Sequence, residues 1–257
     1  MDAAHLMRED WDERARQDAF HYIASWRKDW DPESFFQSGE EDYDRFAAPV
    51  FIRCHWEPEG KSMLELGCGA GRMTRSFAHR FSSVIAFDIS AEMLSRARTL
   101  SPGLSNTRWT LGNGTDLSGV ANQSVDFVFS YIVLQHMPTP DFAFRYIREM
   151  LRVLKPDGVF LFQFNSVPKM TMNWKGRMVW RLVDLPWALG FRGVSRGVAS
   201  LLGFPPEIAG KSWRGASLNV AAVGKTIEDA GGRVEEMVEP GTPMTWCRGS
   251  KSRASFS

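Results

Sequence analysis

The sequence predicts an α/β protein on a doubly wound, mostly parallel sheet, and three observations carry that reading. Short apolar strands alternate with amphipathic helices between residues 61 and 167, one strand runs directly into a glycine-rich turn, and the next strand ends in an aspartate. The chain has 257 residues, 44% hydrophobic and 24% charged, which suits a packed core and excludes a disordered polymer. Lysine and arginine number 31 against 30 acids, so there is no global pull toward nucleic acid, and no DNA partner is expected. Cys54, Cys68 and Cys247 form no C-x-x-C pair, so neither a zinc knuckle nor a disulfide framework is readable. No run reaches the ~18 apolar residues of a bilayer span. Together these features predict a cytoplasmic protein.

The elements follow in order. Residues 1–60 carry 15 acids against 7 bases and are read as an N-terminal helical lid region. There Trp11, Ala15, Ala19, Tyr22 and Trp26 share one helical face and predict an amphipathic helix over 5–27. Pro32, Gly39 and Pro49 then punctuate a looser connection. Residues 61–167 form the core. Its strands are predicted at Ser62–Leu66, Val84–Asp88, Arg108–Leu111, Val125–Tyr131 and Val159–Phe164, each short and rich in Val, Ile, Leu or Phe. Its helices are predicted at Gly71–Arg80, at Ala91–Leu100 behind a Ser90 cap, and at Phe142–Leu154.

From 168 to 215 the rhythm stops and 8 bases face 2 acids, a helical cap insertion. Trp174, Met178, Leu182 and Leu185, then Val194, Val198, Leu201 and Leu202, predict two short helices there. Residues 216–257 supply a helix over Leu218–Ala230, stopped by Gly231-Gly232, and strands that complete the core.

The most informative stretch is Met63-Leu-Glu-Leu-Gly-Cys-Gly-Ala-Gly-Arg72. Glycines at 67, 69 and 71 let the backbone turn sharply and approach a ligand, with helix N-terminal amides pointing into the gap. Glu65 sets a carboxylate where a phosphate would be repelled and a cationic or zwitterionic ligand welcome. Position 72 is arginine, which departs from the dinucleotide pattern G-x-G-x-x-G. Asp88, ending the next strand, can hold a ribose diol by two hydrogen bonds. Walker A phosphate binding fails on spacing: the glycine required five residues before Gly60, Gly210 and Gly224 is replaced by His55, Pro205 and Asn219.

These residues resemble the class I S-adenosylmethionine-dependent methyltransferases over roughly 61–167, with a weaker match through 246. Glu65-Leu-Gly-Cys-Gly-Ala-Gly71 looks like the family's first motif, Val84-Ile-Ala-Phe-Asp-Ile-Ser90 its second strand, and Val125-Asp-Phe-Val-Phe-Ser-Tyr131 its fourth. Arg148-Glu-Met-Leu-Arg-Val-Leu-Lys-Pro-Asp-Gly158 is similar to its helix, turn and fifth strand, with Pro-Asp-Gly in place of Pro-Gly-Gly.

The resemblance implies a Rossmann-like seven-stranded sheet and S-adenosylmethionine as cofactor. It further implies that Gly67, Cys68, Gly69 and Gly71 line the methionine and ribose portions, that Glu65 faces the amino group, and that Asp88 binds the ribose. Ile89 and Met93 would flank the adenine. Asn113, in Leu111-Gly-Asn-Gly-Thr-Asp-Leu117, would meet the adenine amino group, with Asp116 its rival and Gly114 between them. Ser130, within the fourth-strand motif, is counted in the cofactor set.

Methyl transfer needs an in-line acceptor in a dry, shaped site, and a hydroxyl acceptor also benefits from a base. His136, just beyond strand four, is the leading candidate base; the alternative is that it only packs the cleft. Tyr22, with His21 beside it, is next, on a helix able to close over the cofactor. No metal site is readable, and neither the acidic cluster of catechol-type enzymes nor the Asn/Asp-Pro-Pro-aromatic motif of amino-methylating nucleic-acid enzymes is present. In the cap, Trp174, Trp180, Trp187 and Trp213 interleave with Lys175, Arg177, Arg181, Arg192, Arg196 and Arg214. That mixture suits an acidic or ring-bearing small-molecule acceptor, with oxygen the preferred target. An RNA or membrane surface, and a non-catalytic S-adenosylmethionine-binding protein, remain the alternatives.

Overall fold

The computed structural model of the chain describes residues 3–167, 174–204 and 215–253. Parallel strands β1 (Ser62–Leu66), β2 (Ser83–Asp88), β3 (Thr107–Leu111), β4 (Val125–Ser130) and β5 (Leu154–Phe164) are joined by β6 (Gly232–Val238) and β7 (Thr245–Lys251). The seven strands lie in the order β3-β2-β1-β4-β5-β7-β6, and β7 runs antiparallel to both its neighbours. The sheet is therefore mostly parallel. Strand order reverses between β1 and β4, and a crevice opens at such a point beyond the carboxyl ends of the strands.

Strand side chains alternate between two cores, as the two-residue period requires. Leu64, Leu66, Ile85, Phe87 and Val128 pack on one face with α6 (Pro140–Val153) and α9 (Val220–Asp229). Met63, Val84, Phe127, Phe129 and Leu161 pack on the other with α3 (Ala48–Cys54) and α4 (Thr74–Ala78). Helix starts follow local chemistry: Ser90 accepts from the Met93 amide at 3.1 Å to begin α5 (Ala91–Leu100), and Asn219 accepts from Ala222 at 3.0 Å to begin α9.

The structure departs from the sequence reading in three places. The helix expected over Gly71–Arg80 is confined to α4, because the glycine turn runs on with Gly71 at φ +85°. The connection expected to be loose is helical: Pro32 and Pro49 stand in the first turns of α2 (Pro32–Asp42) and α3, where a missing N–H is harmless. Gly39 lies inside α2, where a Cβ would stand 2.1 Å from the carbonyl oxygen of Arg72, so glycine lets α2 pack on the turn after β1.

The N-terminal helix α1 spans Ala3–Ile23 with a break at Asp18 (φ −164°, ψ 90°). Ala15 and Ala19 are buried against Met93, but Trp26 lies beyond the helix and is exposed. The two helices expected in the cap are α7 (Trp174–Ala188) and α8 (Arg192–Leu201), and most of the apolar residues that announced them lie on the outer side. Val183, Trp187, Ser195 and Ala199 are buried, while Met178, Leu182, Leu185 and Val194 face out. Trp213 and Arg214 lie outside the described residues, as do the side chains of Trp174, Lys175 and Arg177. Among the described helices none is long and apolar enough to cross a membrane.

Candidate functional site

At the carboxyl edge of β1 the glycine turn is stitched to the tip of β2. The amides of Gly67 and Cys68 both donate to the carbonyl of Phe87, at 2.7 and 3.2 Å. The amide of Gly69 donates to Asp88 Oδ2 and that of Ser90 to Asp88 Oδ1, each at 2.8 Å. Gly67 and Gly69 have φ of +76° and +54°; a Cβ on Gly67 would stand 2.2 Å from Val133 Cγ2, and one on Gly69 2.8 Å from Ile23 Cδ1. Only glycine reconciles this backbone with those neighbours.

Two carboxyl groups are buried beside the turn. Burial pushes Asp88 up to about 6, against the pull of the Ser90, Gly69 and Ile89 amides. Burial likewise pushes Glu65 up to about 8, opposed by Thr74 Oγ1, which donates to it at 2.5 Å, and by the Arg72 charge. Arg72 is itself buried, ion-paired to Asp42 at 2.7 Å.

A cavity extends from these groups, walled by three segments distant in sequence. From α1 come Met7, Trp11, Tyr22 and Ile23, held over β2 by Asp12, which accepts from Ser90 Oγ at 2.6 Å and from the Glu92 amide at 3.1 Å. The loop after β4 supplies Tyr131, Val133, His136 and Met137, and α6 supplies Tyr146. The β4 loop is pinned by Gln163, fully buried on β5. Its Oε1 accepts from the Ile132 amide at 3.0 Å and its Nε2 donates to Gln135 Oε1 at 2.9 Å and to the Pro243 carbonyl at 2.6 Å. Ile132, a β-branched residue, is thereby held at φ +55°.

Tyr131 is also the wall of a second groove, where it stacks on Trp246 (5.1 Å, 22°), which in turn meets Phe46 (4.6 Å). Arg45 and Met244 line the same groove.

Of the residues anticipated from sequence, Tyr22, Glu65, Gly67, Cys68, Gly69, Asp88, Ile89, Met93 and His136 come together around the first cavity. Gly71, Asn113, Gly114, Asp116 and Ser130 are not on its wall. Gly71 sits under Trp109, and Gly114 abuts Ile89 and Ala4. Asn113 Nδ2 donates to Asp116 Oδ1 at 2.7 Å, tying both into their own loop, and Ser130 donates across the sheet to the Leu66 carbonyl at 3.2 Å. His136 meets Trp11 edge-on at 5.5 Å. Gln163 and the α1 residues Met7 and Trp11 were not anticipated. A glutamine within the apolar run Val159–Phe164 is the signal that could have found Gln163; nothing local marks the other two.

The sequence model of a family described as a methyltransferase domain matches residues 64–162, which hold the glycine turn, Asp88 and the β4 loop. Residues 64–162 are thus a methyltransferase domain. The chain is 36% identical over 106 residues to the probable methyltransferase ltbC of Aspergillus luteorubrus, covering 38% of this chain and 37% of that protein. It is 31% identical over 121 residues to the ubiquinone biosynthesis O-methyltransferase of Xanthomonas axonopodis pv. citri, covering 46% and 49%. The chain thus spans less than half the length of these curated relatives.

Among solved structures, magnesium protoporphyrin IX methyltransferase from Synechocystis PCC 6803 with bound S-adenosylmethionine superposes with a TM-score of 0.60 at 15% identity, covering 98% of each chain. A S-adenosylmethionine-dependent methyltransferase from Aquifex aeolicus does so with a TM-score of 0.52 at 19% identity, covering 86% of this chain and 98% of that one. At such identities the likeness shows the fold.

The family's cofactor is S-adenosylmethionine, and the residues present fit it. The turn admits no Cβ at Gly67 or Gly69, the carboxylates are placed for a polyhydroxylated cation, and Met93, Ile89 and Trp11 offer an apolar slot for a ring.

Proposed function

We propose that this chain transfers a methyl group from S-adenosylmethionine to a small-molecule acceptor bearing a ring, with oxygen the preferred target atom. The observation that carries the reading is the buried Asp88 carboxylate, fixed by two backbone amides in the wall of a cavity that Tyr131 and His136 also line. When bound, the cofactor supplies an electrophilic methyl on a sulfonium. Asp88 takes the ribose hydroxyls, Glu65 faces the ammonium, and the glycine turn, without Cβ at 67 and 69, lets the methionine portion approach the backbone. Ionised Glu65 is stabilised once a cation sits beside it, so binding releases the proton that burial holds there.

The acceptor lies against Tyr131, which separates the cavity from the aromatic groove of Phe46 and Trp246. A planar ring gains stacking there, and Arg45 gives that groove a cation for an acidic substituent. Recognition of an anionic acceptor is assigned to this groove because two cap arginines are engaged by α1: Arg196 is ion-paired to Glu13 at 2.7 Å, and Arg192 contacts Glu9, Asp10 and Glu13. His136 takes the proton of an acceptor hydroxyl. Cys54, Cys68 and Cys247 are all free, consistent with work in the cytoplasm.

The test is calorimetry with S-adenosylmethionine and S-adenosylhomocysteine, followed by an assay of S-adenosylhomocysteine formation across hydroxylated aromatic acids. Binding with turnover on ring-bearing acceptors supports the proposal. Absence of any heat with either nucleoside removes it, and binding without turnover on any acceptor class leaves a cofactor-binding protein.

A further inference from the structure

The α7–α8 hairpin carries an apolar stripe that no described residue covers. Met178, Leu182 and Leu185 recur along α7 at steps of four and three, which is one helical face, and Leu189 just past its end, Phe191 in the turn and Val194 at the start of α8 continue it. Each of the six is more than half exposed. Scattered surface leucines need no explanation, but a contiguous apolar patch of this kind marks a contact surface.

The hairpin's other side is firmly engaged. Trp187 Nε1 donates to the buried Asp10 at 3.1 Å, and Arg192 and Arg196 pair with the α1 acids. Val183 and Ala199 pack between the two helices. The stripe therefore cannot turn inward without breaking these contacts, and its outward aim is set by the clasp on α1.

Charge selects the occupant. Residues 174–204 carry five bases and one acid, Asp184. Arg192 and Arg196 are neutralised by α1, whereas Arg181 is exposed beside Leu182 on the stretch of α7 that begins the stripe, a stretch whose sequence also holds Lys175 and Arg177. A second copy docking stripe to stripe would set one basic hairpin against another, whereas a negatively charged lipid surface meets both the apolar residues and the exposed Arg181. We propose that the α7–α8 hairpin docks the protein on the surface of an anionic bilayer, with the stripe seated at the headgroup–acyl boundary. Because α1 supplies one wall of the cofactor cavity and is clasped by this hairpin, the docked surface lies one helix away from the site.

The experiment is flotation of the full chain with vesicles of phosphatidylcholine alone and with phosphatidylglycerol added, at low and high salt. The parent is expected to float with the anionic vesicles and less well at high salt. A triple variant Leu182→Ser, Leu185→Ser, Phe191→Ser is expected to lose at least tenfold in partition, and Arg181→Gln about fivefold on anionic vesicles only. All three positions of the triple variant are exposed, and unchanged calorimetry with S-adenosylhomocysteine confirms that it is folded; if that fails, Leu185→Ser alone serves as the probe. Equal flotation of parent and folded variant overturns the proposal, as does a parent that floats with neither vesicle. A dimer in sedimentation velocity that the same substitutions dissolve would assign the stripe to a second copy and also overturn it.

Discussion

The amide of Gly69 donates to Asp88 Oδ2 at 2.8 Å, so the glycine turn after β1 and the acidic tip of β2 form one hydrogen-bonded unit. The second oxygen of Asp88 accepts from Ser90. Asparagine at this position has a single acceptor oxygen, and one of the two amides would face its NH2 group. Asp88→Asn is therefore expected to lower stability by ~1–3 kcal/mol in urea unfolding and to weaken S-adenosylmethionine binding at least tenfold by calorimetry. Unchanged affinity would falsify the assignment of Asp88 to the ribose.

The two buried carboxyls give the ligand-free protein a signed pH dependence. Glu65 and Asp88 titrate near 8 and 6 in the fold, above their ordinary 4.5 and 3.8. The folded state therefore holds protons that the unfolded chain releases. Their contribution to stability is most favourable below about pH 4, falls as pH rises, and levels off above about pH 8. Glu65→Gln removes the larger share. Its melting temperature relative to the parent is expected to be higher at pH 8 than at pH 5, by a few degrees, in differential scanning calorimetry. A difference that stays constant across this range would contradict the burial of an ionisable Glu65.

Asp10 lies where α1 meets the cap, 3% exposed, beside Trp187 and Arg192. Asp10→Ala leaves an indole N–H and a guanidinium without that acceptor, and loss of one partner from a buried charged contact costs about 3–5 kcal/mol. Hydrogen exchange is expected to rise in α1 and in α7–α8 together, and S-adenosylhomocysteine to dissociate faster. Exchange confined to one of the two segments would show that they are not clasped.

Gln163→Leu removes the side chain that holds the β4 loop from three directions. Backbone exchange over 131–137 is expected to increase, and turnover to fall at least tenfold further than cofactor affinity. Gln163→Glu keeps the acceptor for Ile132 but not the two donors and should be intermediate in exchange. Equal losses of turnover and affinity would place Gln163 with the general packing of the core.

His136→Ala should reduce turnover about 100-fold with S-adenosylhomocysteine affinity retained, if it removes the acceptor's proton. His136→Phe preserves a ring edge against Trp11 and separates the two roles. Recovery of turnover with phenylalanine would reduce His136 to packing.

Much of this architecture was legible because its signals are local. Short runs rich in Val, Ile, Leu and Phe located the five parallel strands to within one residue except at the start of β5, which begins at Leu154 instead of Val159, and Ser90 announced the start of α5 through an oxygen three residues from the amide it caps. Gly67, Gly69 and Asp88 were readable as a tight turn beside an acidic strand tip because a turn of that shape demands residues without Cβ and the adjoining strand ends in a carboxylate. The α7 stripe was legible only in part for a related reason: helical spacing says that Met178, Leu182 and Leu185 share a face, but not that the face points outward.

The sequence by itself determined the doubly wound sheet, the methyltransferase domain and the glycine turn set beside Asp88, since each rests on residues within a turn or a strand of one another. Only the tertiary structure decided that α1 closes the cavity, that Gln163 fixes the β4 loop, and that Arg192 and Arg196 pair with α1. Those contacts join residues from about 30 to more than 180 positions apart, and their existence depends on where packing of the two cores carries each element.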